Sequence, residues 1–160
     1  MLHFTPSLLD RLLDDAPAAP AEPHTPRVSL ESLKDSVARD LEALLNARCG
    51  LQRDALEGYA HAQRSILSFG MLDFSSMSLA NTEQRDQICR SLEDAIAAHE
   101  PRLKSVLVGL AEDSGPQRLM FTIQALLVVN PTREPVNFSA MLQPSTQLYS
   151  VSRPRRGSLM

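Results

Sequence analysis

Residues 94–108 read DAIAAHEPRLKSVLV, and a change of apolar periodicity at their centre decides the fold. The residues before Glu100 continue an apolar pattern that has helical spacing. Pro101 has no N–H to donate and clashes with the preceding turn, so it ends the helix and favours an extended Glu100. After Pro101 the apolar residues alternate with polar ones, which is typical of a β-strand. The stretch therefore predicts a helix that leads directly into a strand.

The same two periodicities extend along the chain in both directions. Downstream, alternation predicts strands at 103–112, 118–129 and 136–142, with a last short candidate at 148–151. Upstream, apolar residues recur at three- and four-residue steps and predict two helices, from Ser29 to about Gly50 and from Asn81 to Glu100. The stretch SILSFGMLDFSS at 65–76 is interpreted as a loop that packs on the core. We predict an α+β domain in which a small antiparallel or mixed sheet of about three strands packs against two main helices.

The first 28 residues have a different character. Residues 5–15, TPSLLDRLLDD, predict a short helix with Thr5 as its N-cap and a stripe of leucines, namely Leu8, Leu9, Leu12 and Leu13. Residues 16–26 have a proline at every third position, which favours an extended, semi-rigid linker. So short a helix is not stable alone, and we expect it to dock on its own domain or, as we favour, on a partner. The predicted organisation is a docking helix and linker at 1–28, a domain at 29–151 and a basic flexible tail at 152–160.

Composition and charge argue against several classes of protein. A formal net charge of −3 gives no electrostatic reason to bind nucleic acid. The longest apolar run, Ala125–Val129, is far shorter than the ~20 residues of a membrane helix, so we expect no membrane insertion. The start of the chain lacks the positive region of a signal peptide, and we expect a cytoplasmic protein. Two cysteines and four scattered histidines lack the spacing of metal ligands, so we predict no metal site and no cofactor.

The junction itself leaves two interpretations open. In an extended Glu-Pro-Arg segment, the side chains of Glu100 and Arg102 project to the same side. They either form a local ion pair, worth ~0–1 kcal/mol if exposed, or a charged clamp for the helix ends or backbone of a partner. A glycosidase would need Glu100 and a second carboxylate, for which Asp73 or Glu112 could be proposed. Nothing in their spacing favours such a pair, and we predict no catalytic residue.

Four stretches carry a family resemblance in the same order: PSLLDRLLDD at 6–15, DSVARDLEALLNAR at 35–48, SILSFGMLD at 65–73 and AIAAHEPRLKSVLV at 95–108. Together they resemble the TssE family of type VI secretion system baseplate subunits. This family is similar to the small baseplate wedge protein of contractile-tailed phages, which has long been labelled lysozyme-like. The Glu-Pro-Arg motif is the hallmark of the family, and Glu100, Pro101 and Arg102 carry it here. The long proline-rich segment at 16–26 departs from the family pattern.

The resemblance implies a non-enzymatic, structural subunit of the baseplate wedge. It implies that Glu100, Pro101 and Arg102 contact the other wedge proteins of the TssF, TssG and TssK complex. It also implies that the contractile sheath, TssB–TssC, begins to polymerise on the small sheet, whose free edges can pair with strands of another chain. We expect Leu8, Leu9 and Leu12 to be the docking residues of the N-terminal helix. Two alternatives are a peptidoglycan hydrolase and a small regulatory adaptor with the same fold.

Overall fold

The structure is a computed structural model that describes residues 4, 6–12, 28–51, 53–74, 81–112, 114–115, 118–130 and 132–153. The linker predicted at 16–26, residues 154–160 of the predicted tail and the predicted N-cap Thr5 lie outside the described residues. The chain divides into two compact units, Met1–Val37 and Ala38–Met160. The domain division proposed from the sequence stays a prediction.

Three α-helices and four β-strands are present among the described residues, with three short 3-10 turns between the second and third helices. The helices are α1 (Leu8–Leu12), α2 (Leu30–Asn46) and α3 (Thr82–His99). The turns are Arg53–Leu56, Ala62–Arg64 and Ile66–Ser68. The strands are β1 (Leu103–Leu110), β2 (Leu119–Val129), β3 (Thr132–Gln143) and β4 (Leu148–Ser152).

The strands form one open sheet in the order β1-β2-β3-β4, and every neighbouring pair is antiparallel. The predicted α+β class is confirmed, and the short candidate at 148–151 is the fourth strand. Strand β3 begins earlier than the alternation predicted, and it includes Pro135. Proline is tolerated there because β4 pairs only with residues from Ser139 to Gln143 of β3. At Pro135 the strand therefore has a free side, where a missing N–H breaks no ladder.

The core of the second unit lies on one face of the sheet. Alternate residues of β2 and β3 are buried, and Ile123, Leu127 and Phe138 are each at most 1% exposed. Each of α2 and α3 adds an apolar stripe to this core, as the spacing of their apolar residues predicted. In the second unit the two stripes comprise Leu41, Leu44 and Leu45 from α2 and Ile88, Leu92 and Ile96 from α3. Each such side chain contributes about 1.5–3 kcal/mol when it leaves water, before entropy is counted.

The stretch at 65–76 was predicted as a loop packed on the core, and its described residues, 65–74, form one 3-10 turn and no regular strand. Met71 anchors it, with 1% exposure and backbone hydrogen bonds to Ala47 and Cys49. Gly70 makes this approach possible. Its φ is +111°, and a Cβ there would lie 2.7 Å from the carbonyl oxygen of Ala47. No other residue fits this position without strain.

In the first unit, Phe4 and Val28 form an antiparallel bridge with hydrogen bonds of 3.0 and 2.9 Å. Helix α1 begins at Leu8, and Ser7 is its N-cap. The reason is a capping box, in which Ser7 Oγ accepts from the Asp10 N–H and the Asp10 carboxylate accepts from the Ser7 N–H, both at 3.1 Å. The same carboxylate accepts a hydrogen bond of 2.8 Å from the hydroxyl of Ser36 on α2. Helix α1 is thus fixed to the start of α2.

Candidate functional site

The Glu-Pro-Arg junction lies where α3 ends and β1 begins. Helix α3 is capped at its start by Asn81, whose side chain accepts from the Glu83 N–H at 2.9 Å. At its end the Glu100 N–H still donates to Ile96 O at 2.8 Å, but the backbone of Glu100 has left the helical region, with φ −115° and ψ 87°. Pro101 forces this change, as the sequence predicted. Two residues later the chain enters β1 at Leu103.

Arg102 joins two carboxylates. Glu100 Oε1 accepts from Nε of Arg102 at 2.7 Å and from its backbone N–H at 3.2 Å, while Oε2 accepts from Nη2. Nη2 also donates to Oδ2 of Asp40 on α2. Glu100 is 5% exposed, whereas the side chains of Arg102 and Asp40 are 21% and 28% exposed. Glu100 and Arg102 therefore do lie side by side, but Glu100 is buried, whereas Arg102 and Asp40 are partly exposed.

The electrostatics of the junction favour a permanently charged guanidinium. Burial alone would lower the pKa of Arg102, but hydrogen bonds and charge from Glu100 and then from Asp40 raise it above its usual range. Arg39 adds a second positive charge, with Nε 3.9 Å from Oδ1 of Asp40. The bidentate contact between Arg102 and Glu100 is rigid, because the planar guanidinium fixes both the distance and the plane of the carboxylate.

Glu100 is poorly placed for hydrolysis of a glycosidic bond. Both of its oxygens are engaged by Arg102, and the residue is buried. It lines neither of two cavities of about 430 and 120 Å³ in the second unit. Asp73 lines the smaller of these cavities and Glu112 is exposed on the loop after β1. Glu100, Asp73 and Glu112 therefore form no pair of carboxylates across a cleft, which glycosidic hydrolysis requires.

Two of the three leucines predicted to dock on a partner are exposed, unlike the leucines of a core stripe. Leu8 and Leu12 are 70% and 71% exposed, so each presents most of its side chain to solvent. Leu9 lies between them on α1, but its side chain is not among those that the structure describes. The spacing from Leu8 to Leu12 is one helical turn, which puts both leucines on one side of the helix.

Pro101, the remaining predicted site residue, is exposed beside Arg102. Across the described residues, no group of three histidine, cysteine or acidic side chains is arranged to hold a metal ion. None of the helices in the described part of the chain is long and apolar enough to cross a membrane.

Two contacts at this site had no signal in the local sequence. Asp40 lies on a polar face of α2, and only the tertiary fold brings it to Arg102. His99, in the last turn of α3, holds the Ile66–Ser68 turn. Its Nε2 lies 2.9 Å from the carbonyl oxygen of Ser68, and its ring meets that of Phe69 edge-on at 5.3 Å. An Nε2–H that donates to a carbonyl cannot act as a base toward the nearby Ser68 hydroxyl.

The sequence matches the model of one protein family, described as baseplate wedge protein gp25, over residues 31–132. This range includes α2, α3, the Glu-Pro-Arg junction, β1 and β2. No curated protein matches the chain significantly.

The solved structures that the chain matches include a chain of the baseplate complex from the type VI secretion system. It is 18% identical, with a TM-score of 0.49, over 71% of this chain and 96% of that one. Another is a proposed tail lysozyme from Geobacter sulfurreducens, 20% identical with a TM-score of 0.45, over 70% of this chain and 93% of that one.

Proposed function

The chain belongs to the family of baseplate wedge protein gp25, and we propose that it is a structural, non-enzymatic subunit of a type VI secretion baseplate. In this role it joins the wedge complex of TssF, TssG and TssK to the contractile sheath, TssB–TssC, and helps to initiate sheath polymerisation. It acts in the cytoplasm. The observation that carries the proposal is the family match over residues 31–132, which spans the junction and half of the sheet.

Within this proposal, the three residues of the junction have separate tasks. Pro101 and the exposed part of Arg102 contact a wedge partner, because they form the outer surface of the turn. Glu100 is a positioning residue, since it is buried and acts by fixing the guanidinium plane of Arg102. Leu8, Leu9 and Leu12 form a second contact, in which α1 binds an apolar groove of a partner. Leu8 and Leu12 present most of their side chains to solvent and are available for it.

Co-expression with the wedge proteins and co-purification tests the proposal. The wild-type chain is expected to purify in the complex, and its failure to do so would overturn the baseplate role. The double change Glu100→Ala, Arg102→Ala removes opposite charges together, and we expect a folded protein with weakened assembly. Arg90→Ala, which removes an exposed positive charge elsewhere on α3, is the control and should assemble normally.

A structural role for the junction predicts a different result. If the double variant loses its cooperative melt in circular dichroism, the pair serves folding and not assembly. If it is folded and assembles like the wild type, the junction does not bind the wedge. Arg102→Ala alone should be more destabilising than the double change, by several kcal/mol, because it leaves the buried Glu100 carboxylate without its partner.

A further inference from the structure

The outer edge of β4 is occupied by side chains from α2. The Tyr149 N–H donates to Oδ1 of Asn46 at 2.8 Å, and Nδ2 of Asn46 donates to the Tyr149 carbonyl oxygen at 2.9 Å. One turn earlier on the helix, Oε2 of Glu42 accepts from the Val151 N–H at 2.7 Å. Tyr149 and Val151 are the residues of β4 whose backbone groups point away from β3. Three of their four outward groups therefore already have partners.

Helix and strand geometry explains why two side chains can cover this edge. Residues four apart on a helix rise by ~6 Å, and residues two apart on a strand rise by ~6.6 Å. Glu42 and Asn46 on α2 thus match Val151 and Tyr149 on β4 in spacing. The primary amide of Asn46 offers both an N–H donor and a carbonyl acceptor, as a peptide group does, and it uses one of each on Tyr149. Together the two side chains reproduce the hydrogen bonds of a neighbouring strand.

The opposite edge, on β1, is much less occupied. The Ala111 N–H donates to Met120 O of β2 at 2.7 Å. Because N–H directions alternate along a strand, the N–H groups of Val108 and Leu110 point away from β2. Among the described residues one of these, Val108 N–H, has a side-chain partner, Oε1 of Glu93 at 2.8 Å. The first half of β1 is also irregular, because the register shifts after Lys104 and Ser105 has a φ of +51°. The regular part of this edge runs from Leu107 to Leu110, and Leu107 is 63% exposed.

We propose that Glu42 and Asn46 replace a fifth strand and close β4, so that β1 is the edge at which this protein accepts an extended strand from a partner chain. The occupant is a segment that hydrogen-bonds to the outward groups between Leu107 and Leu110 and places an apolar side chain beside Leu107. The single carboxylate of Glu93 must move to water to admit it, whereas entry at β4 would require two side chains to be displaced. The proposal rests on the proposed function, in which strands of another protein add to this sheet.

Hydrogen exchange tests the closed edge on the protein alone. We expect the Tyr149 and Val151 amides to be protected in the wild type, and Glu42→Ala to accelerate exchange at Val151 about tenfold, since a hydrogen bond to a charged group is lost. Glu57→Ala, which removes an exposed carboxylate elsewhere, should leave this exchange unchanged. Fast exchange at both amides in the wild type would overturn the closure.

The double change Glu42→Ala, Asn46→Ala should raise concentration-dependent self-association in sedimentation, and unchanged sedimentation would count against a protective role.

Proline scanning of β1 tests the accepting edge. Leu110→Pro removes an outward N–H and no hydrogen bond to β2, so the sheet should stay folded. We expect it to abolish growth of the sheath on assembled baseplates while Leu110→Ala retains growth. Equal growth for both variants would overturn the choice of β1 without affecting the baseplate role, and failure of the wild type to join a baseplate would overturn the role itself. Self-association of the wild type that Leu110→Pro abolishes would assign the edge to a second copy and overturn the partner strand.

Discussion

The hydroxyl of Tyr149 is the one buried side-chain nitrogen or oxygen without a hydrogen-bond partner among the described residues. The ring packs near Phe121, with centroids 6.4 Å apart, and the residue is 5% exposed. Burial is the main reason that the pKa of Tyr149 rises to about 12, with a smaller lowering effect of Arg48 and a raising effect of Cys89. A neutral phenol is tolerated there, but its ionised form is not.

This burial predicts a loss of stability at alkaline pH. The unfolded phenol ionises near pH 10, so the free energy of unfolding keeps its full value below that pH and falls as the pH rises toward 12, by about 2–3 kcal/mol from this group. Tyr149→Phe should remove that part of the decrease and be neutral or stabilising at pH 7, because it deletes an unpaired hydroxyl. Denaturant unfolding at several pH values measures the free energy of unfolding of both proteins. Tyr59→Phe, at a residue 68% exposed, should behave like the wild type, and an identical pH dependence in Tyr149→Phe would contradict the prediction.

The turn at Gly70 brings two backbone segments close together. It brings Met71 into two hydrogen bonds with the residues that follow α2, to Ala47 O at 2.9 Å and from Cys49 N–H at 3.0 Å. Gly70→Ala must both strain a positive φ and move a backbone carbonyl, so we expect it to destabilise the fold by about 2–3 kcal/mol. Gly50→Ala meets no atom within 4 Å and should change stability by less than about 1 kcal/mol. Thermal melts of the two variants compare them, and equal melting temperatures would refute a tight approach at Gly70.

Local sequence signals were sufficient for the elements whose pattern is complete within a few residues. The end of α3 at Pro101 and the alternation of β2 are of this kind. The start of α1 at Leu8 also has a local signal, because Ser7 and Asp10 have the spacing of a capping box. The start of β3 has no such local signal, because a proline is disfavoured in a paired strand and its tolerance at Pro135 depends on how far β4 extends.

The site was predictable only in part, for a physical reason. Glu100 and Arg102 are two residues apart in an extended segment, so the sequence alone predicts that their side chains lie side by side. Their relative exposure and the third member, Asp40, depend on where α2 lies against the junction, which no local pattern contains. The same holds for the pairing of Glu42 and Asn46 with β4, because it joins residues more than one hundred positions apart.

At the scale of the whole second unit, the elements share one core, centred on β2 and β3. These two strands pair without interruption from Leu119–Leu142 to Val129–Thr132, and they lie in the middle of the sheet. Their alternating faces bury Ile123 and Phe138 completely or nearly so. Because the core positions of α2 and α3 are equally buried, we expect these elements to unfold together with the sheet.

Ile123→Ala tests this cooperativity. The change leaves a cavity at a residue with 0% exposure, and we expect it to cost about 2–5 kcal/mol. If the core is shared, the slowest amides of β2, β3 and α3 all accelerate by the same factor, since each exchanges through global unfolding. Gln124→Ala, at the exposed neighbour on the same strand, should stay within about 0.5 kcal/mol of the wild type. Acceleration confined to β2 and β3 would mean that α3 unfolds separately, and the junction that α3 positions would then be stable only with its partner bound.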